Sequence, residues 1–99
     1  MIINKTEENG IITFVLDGKL DTHTAPSLQD VLVPSFDEAK QVELDFTKVS
    51  YVSSSGLRVL LVGKKAAQSK QASMTLRCVS EEIRQIFEMT GFDNILTIV

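Results

Sequence analysis

Residues Ile11 to Leu16 are apolar at every position but Thr13. Ile12, Phe14 and Leu16 fall on one side, and Ile11, Thr13 and Val15 on the other. Successive side chains of a strand point to opposite faces, so this pattern predicts a strand with both faces at least partly covered. Asn9-Gly10 precedes it, a pair favoured in two-residue hairpin turns. The turn joins this strand to an earlier one predicted over Ile2 to Glu7. A polar connection follows from Gly18 to Thr24. Pro26 then sits where a helix begins, with Thr24 or Ala25 as its cap. Leu28, Val31 and Leu32 repeat at helical spacing and the pattern resumes at Phe36 and Ala39. Pro34 has no amide hydrogen to donate and is expected to bend or interrupt that helix.

The two-residue period returns at Val42, Leu44 and Phe46, which alternate with Gln41, Glu43 and Asp45 and predict a half-buried strand. A serine-rich turn, Ser50 to Gly56, follows. The next helix is predicted from about Ser55 to Ser69. Leu57, Val59, Leu60, Leu61 and Val62 make its start apolar almost all round, which means burial or a surface kept for a partner. Met74, Leu76 and Cys78 mark another strand. Ser80 caps a further helix whose first turn carries Glu81 and Glu82 against its positive end. Ile83, Ile86 and Phe87 form its buried stripe, Gly91 ends it, and Phe92 is expected to fold back on Phe87. Ile95 to Val99 is a closing strand. The order ββαβαβαβ predicts an α/β fold: a four- or five-stranded mixed sheet with helices mostly on one face.

With 99 residues the chain suits one domain over 1–99. Its charges are mixed in sign and sum to -3, which argues against a nucleic-acid partner or an anionic membrane. Cys78 is the only cysteine and His23 the only histidine, so neither a disulfide nor a metal cluster is expected. Cys78 reads as a small core residue. No apolar run approaches a membrane span and the N-terminus has no apolar signal core. These features point to a reducing, cytoplasmic setting.

The segment where a strand runs through serines into a helix holds the most chemistry. Sites in open α/β sheets gather at the carboxyl ends of strands. Hydroxyls at a helix N-terminus lie where free amides and the helix dipole favour negative charge. Serine is also simply a preferred cap, and Gly56 can serve only close packing. The stretch lacks the glycine spacing and Lys-Ser/Thr ending of a phosphate-binding loop. It is not a nucleophile elbow either, and no general base is placed to make it a hydrolase.

The run Asp45-Phe46-Thr47-Lys48-Val49-Ser50-Tyr51-Val52-Ser53-Ser54-Ser55-Gly56-Leu57-Arg58-Val59-Leu60-Leu61 resembles the signature of STAS-domain anti-sigma-factor antagonists. Gly18-Lys19-Leu20-Asp21 resembles that family's first loop, and Phe87-Glu88-Met89-Thr90-Gly91-Phe92 its final helix and turn. The resemblance implies a protein that is not an enzyme and needs no cofactor. Its unphosphorylated form would bind an anti-sigma factor that is also a GHKL-type serine kinase, and so free the sigma factor. The kinase would then phosphorylate the antagonist and dissolve the complex, and a PP2C-type phosphatase would reverse the mark. The phosphoacceptor maps onto Ser54, with Ser53 and Ser55 as competing acceptors. The partner face maps onto Asp21, Thr22, Ser53, Ser54, Ser55, Gly56, Leu57 and Arg58. A monomer is the family expectation.

The chain departs from the best-known members twice: Ser53 stands where they have aspartate, and Arg58 where many have a second glycine. Outside the partner face, His23 reads as part of a solvated turn, and Lys64 and Lys65 as a solvated helix face. Asp45 reads equally as a partner of the serine turn or an exposed strand residue. Two rival functions keep the same fold: an accessory subunit of a lipid-transport ATPase, and a nucleotide-binding module.

Overall fold

In the computed structural model, which describes residues 1–99, the chain order is β1 (Ile2–Glu8), β2 (Ile11–Leu20), α1 (Ala25–Glu38), β3 (Gln41–Val52), α2 (Ser54–Ser69), β4 (Ser73–Arg77), α3 (Glu81–Thr90), a 3-10 turn (Phe92–Asn94) and β5 (Thr97–Ile98). The five strands form one sheet in the order β1-β2-β3-β4-β5. β1 runs antiparallel to β2, and every later pairing is parallel. The hairpin turns where expected: Asn9 and Gly10 both have positive φ, 54 and 79, as a primed two-residue turn requires.

Register aligns the apolar positions into rows. Ile12, Val42 and Met74 are neighbours across the sheet, and so are Phe14, Leu44 and Leu76. All six are at most 3% exposed. The residues between them, Thr13, Val15, Glu43, Asp45 and Thr75, are half-buried and Arg77 is exposed. The sheet therefore has one sealed face and one partly open face. The topology explains why. Each parallel crossover steps one strand onward in the same direction, and right-handed crossovers then put every helix on the same side.

The helices close over that side through their apolar stripes. Leu28, Leu32 and Phe36 of α1 are at most 2% exposed. α2 lies close beside α1: a Cβ built on Gly63 would sit 2.6 Å from Leu32 Cδ2. α3 is tied to β3 by an edge-to-face pair, Phe46 with Phe87, with ring centroids 6.3 Å apart.

Five local expectations are corrected. α1 runs unbroken through Pro34, which lies on its exposed side. The lost hydrogen bond there is outweighed by the buried stripe on the other side. β2 continues to Leu20 and β3 to Val52, so the first three residues of the expected polar connection and the first three of the serine-rich turn are strand. Cys78 is an exposed thiol in the left-handed region at φ 58 just past β4, not a core residue. The closing strand shrinks to Thr97–Ile98, because Phe92–Asn94 coils into a 3-10 turn first.

The lengthening of β3 is what delivers the site. β3 carries an extra residue against β2 at two places. Val15 and Asp17 oppose Asp45 and Lys48, and Gly18 and Lys19 oppose Val49 and Tyr51. Such bulges bend and twist a strand and re-aim its side chains. They convert inward spacing from every second residue to every third, at Phe46, Val49 and Val52. At the first bulge the Asp45 carboxylate accepts hydrogen bonds from the amide and hydroxyl of Thr47. Those two bonds hold the Asp45 pKa below its ordinary 3.8 against the raising effect of burial, with Arg77 adding a little. Asp45 thus shapes the strand, and its recorded hydrogen bonds go to Thr47 rather than to the serines.

Candidate functional site: the serine turn between β3 and α2

Ser53 joins the strand to the helix. Its backbone is extended, φ -90 and ψ 176, and its Oγ accepts from the Gly56 amide at 3.3 Å, the geometry of an N-cap. Its own amide donates to the Leu20 carbonyl at 2.9 Å, and its carbonyl accepts from the Leu57 amide at 2.9 Å. Ser53 is thus engaged through side chain and backbone alike.

Gly56 is where the helix start rests on the end of β2. A Cβ there would lie 2.7 Å from the Leu20 carbonyl oxygen and 2.8 Å from Leu20 Cγ. No side chain fits at that separation, so glycine sets how closely α2 approaches the sheet. Gly56 is buried and Leu57 is 7% exposed. Of the residues expected to face a partner, these two point inward and hold the turn in place.

The loop from Asp21 to Thr24 packs beside the turn and is fixed by its own hydrogen bonds. The Asp21 carboxylate accepts from the amides of His23 at 2.9 Å and Thr24 at 3.1 Å. Thr24 Oγ1 accepts from the Asp21 amide at 2.9 Å and donates to the Lys19 carbonyl at 2.7 Å. Burial works to raise the Asp21 pKa, but the Thr24 and His23 amides, the Thr24 hydroxyl and the His23 side chain hold it below its ordinary 3.8. Asp21 therefore acts here as the organiser of the loop. Thr22, exposed at the tip, brings its hydroxyl to 3.1 Å from Ser55 Oγ and links the loop to the first turn of α2.

The three consecutive hydroxyls therefore have different fates. Ser53 caps the helix and Ser55 pairs with Thr22, both being half-buried. Ser54, the first residue of α2, is exposed, and its side chain takes part in none of the hydrogen bonds of the turn. Arg58 is exposed one helical turn further on. It borders an open groove of about 240 Å³ between the two helices, with Pro26, Gln29 and Asp30 on the α1 side and Ser55 and Val59 on the α2 side. His23 and Lys65 are exposed and Lys64 half-buried. Tyr51, 48% exposed near the end of β3, lies outside the expected set. Its signal was a lone aromatic inside a serine-rich run. No three His, Cys, Asp or Glu side chains come together as a metal site. No helix is long and apolar enough to cross a membrane.

Known proteins are similar to this chain in fold and, more distantly, in sequence. The STAS domain model matches residues 3–99, and the chain belongs to that family. It is similar to the anti-sigma-B factor antagonist of Bacillus subtilis, with 31% identity over 94 residues, 95% of this chain and 85% of that protein. The anti-sigma-B factor antagonist of Listeria monocytogenes is 30% identical over 95 residues, 95% of this chain and 83% of the relative. Among solved structures, the anti-sigma factor antagonist SpoIIAA in its unphosphorylated form superimposes with a TM-score of 0.74, covering 95% of this chain and 97% of that one. The phosphorylated form of the Bacillus protein SpoIIAA gives 0.76, with 99% and 91% covered. Both are 16% identical to this chain and speak to the fold alone.

Proposed function

We propose that this protein is an anti-sigma-factor antagonist whose hold on its partner is released by phosphorylation of Ser54. One observation carries the choice of residue: among the three hydroxyls of the turn, only that of Ser54 is both exposed and free of the turn's hydrogen bonds. The partner class is supported by the relatives named anti-sigma-B factor antagonists, which align with 95% of the chain.

The mechanism follows from charge. A partner surface seated on the turn meets a small neutral hydroxyl. Its kinase activity transfers the γ-phosphoryl group of ATP to Ser54 Oγ, which gives up its proton as the new O–P bond forms and ADP departs. Phosphate brings about -1.5 to -2 charges and three strong acceptors. The free amides and dipole of α2 tolerate that charge, so the scaffold keeps its fold. The docked surface has to strip water from a dianion, and it lets go. A loss of about 3 kcal/mol weakens binding more than a hundredfold. Phosphate on Ser53 would instead disturb the cap, and on Ser55 it would disturb the link to Thr22.

Incubation with the cognate GHKL-type kinase and Mg-ATP, followed by mass spectrometry, is expected to find one phosphate, at Ser54. Ser54→Ala should stay unmodified and still bind. Modification confined to Ser53 or Ser55, or undiminished binding of the phosphorylated protein, overturns the proposal. A PP2C-type phosphatase is expected to restore binding.

A further inference from the structure

We infer that Arg58 is the internal counter-ion of phosphoserine at position 54, a step that rests on the phosphorylation reading and adds a residue to it. Ser54 and Arg58 are four residues apart in α2, and residues at that spacing are neighbours on one helix face. Helical side chains lean toward the N-terminus. A side chain as long as that of Arg58 can therefore reach back over the first turn, and Arg58 and Ser55 of that turn both border the groove between α1 and α2. The pair also has the favourable polarity, with the anion nearer the helix start and the cation four residues later.

The guanidinium is uncommitted. The ion pairs of the molecule are Lys5–Glu38, Lys70–Asp37 and Arg77–Glu43, and Arg58 belongs to none of them. Asp30 borders the same groove yet stays outside those pairs. The first turn of α2 holds no acidic residue. Phosphorylation would therefore supply the anion that this end of the helix lacks, within reach of a forked donor suited to phosphate oxygens. Asp30 of α1 and Asp21 of the β2–α1 loop oppose the added charge, and protonated His23 favours it. Arg58 is the nearest exposed cation to Ser54 on that face of α2, with Lys65 two turns further along. Pairing would also withdraw the guanidinium from any docked partner, so one modification would alter the contact surface twice.

The test uses full-length protein with phosphoserine installed at position 54 during synthesis. Phosphate ionisation is followed by phosphorus NMR in the parent and in Arg58→Gln, Arg58→Lys and Lys65→Gln backgrounds. The second pKa of the phosphate is expected to rise by about half a unit in Arg58→Gln. It should rise by less in Arg58→Lys, which keeps the charge without the fork, and least in Lys65→Gln, which removes a more distant charge. An Arg58→Gln shift no larger than that of Lys65→Gln overturns the inference. The phosphate does not come from the kinase in this experiment. A kinase that ignored Ser54 would sink the proposed function and leave the measured pairing intact, whereas a null titration would do the reverse.

Discussion

The starts of α2 and α3 are built alike and finished differently. Each is capped by a serine whose Oγ accepts from the amide three residues on: Ser53 from Gly56 at 3.3 Å, and Ser80 from Ile83 at 3.2 Å. After the cap, α3 continues with Glu81 and Glu82, permanent carboxylates at the positive end of the helix. α2 continues with Ser54 and Ser55 and has no acid in its first turn. Ser54 thus occupies in α2 the position that Glu81 occupies in α3. One helix carries its compensating charge in its sequence; under the proposed phosphorylation of Ser54, the other would receive its charge only after synthesis. At the third helical position the contrast turns to packing: Ile83 is 1% exposed and fills the core, whereas Gly56 leaves the Leu20 carbonyl room to approach.

The comparison can be broken most severely at Gly56. A methyl group there must displace backbone as well as the Leu20 side chain, so Gly56→Ala is expected to cost about 3 kcal/mol, read as a fall in the urea midpoint. The caps should be equivalent, and Ser53→Ala and Ser80→Ala should each cost about 1 kcal/mol in the same assay. Unequal losses would mean that the two starts are less alike than their geometry implies. Exchanging the first-turn residues sharpens the contrast: Ser54→Glu should gain about 0.5 kcal/mol and Glu81→Ser lose about as much, both fading in high salt.

The smallest effect concerns acid. Because the folded state holds the Asp21 pKa below 3.8, the ionised form is favoured by folding. That contribution is fully present above the unfolded pKa and is lost as pH falls through the folded one. Asp21→Asn should therefore flatten the loss of stability below pH 3.8, as followed by urea midpoints across the acid range. Asp45, also held low, keeps its share.

Most of the architecture was legible because period-two and helical spacing survive wherever strands pair without irregularity. Reading failed where geometry broke the period. Phe46, Val49 and Val52 are spaced by threes, a pattern produced by the two bulges of β3 and invisible without knowing its pairing with β2. Pro34 carries the chemistry of a helix breaker, yet tertiary packing overrode it. Cys78 reads as the next inward position of β4, but the strand ends at Arg77 and the backbone turns. At the site, helix spacing and cap chemistry located the serine turn, and family likeness was needed to single out Ser54. The partners of its neighbours were hidden for a simple reason: Thr22 and Ser55 are 33 residues apart, and only the fold brings them together.

The monotonic strand order has one further consequence. Clefts for small molecules in doubly wound sheets open where successive crossovers diverge to opposite sides. From β2 to β5 this sheet never reverses, so the ends of its parallel strands frame no such fissure. The serine turn is left with Ser54 exposed beside an open groove, a shape that favours contact by another macromolecule's surface over enclosure of a metabolite.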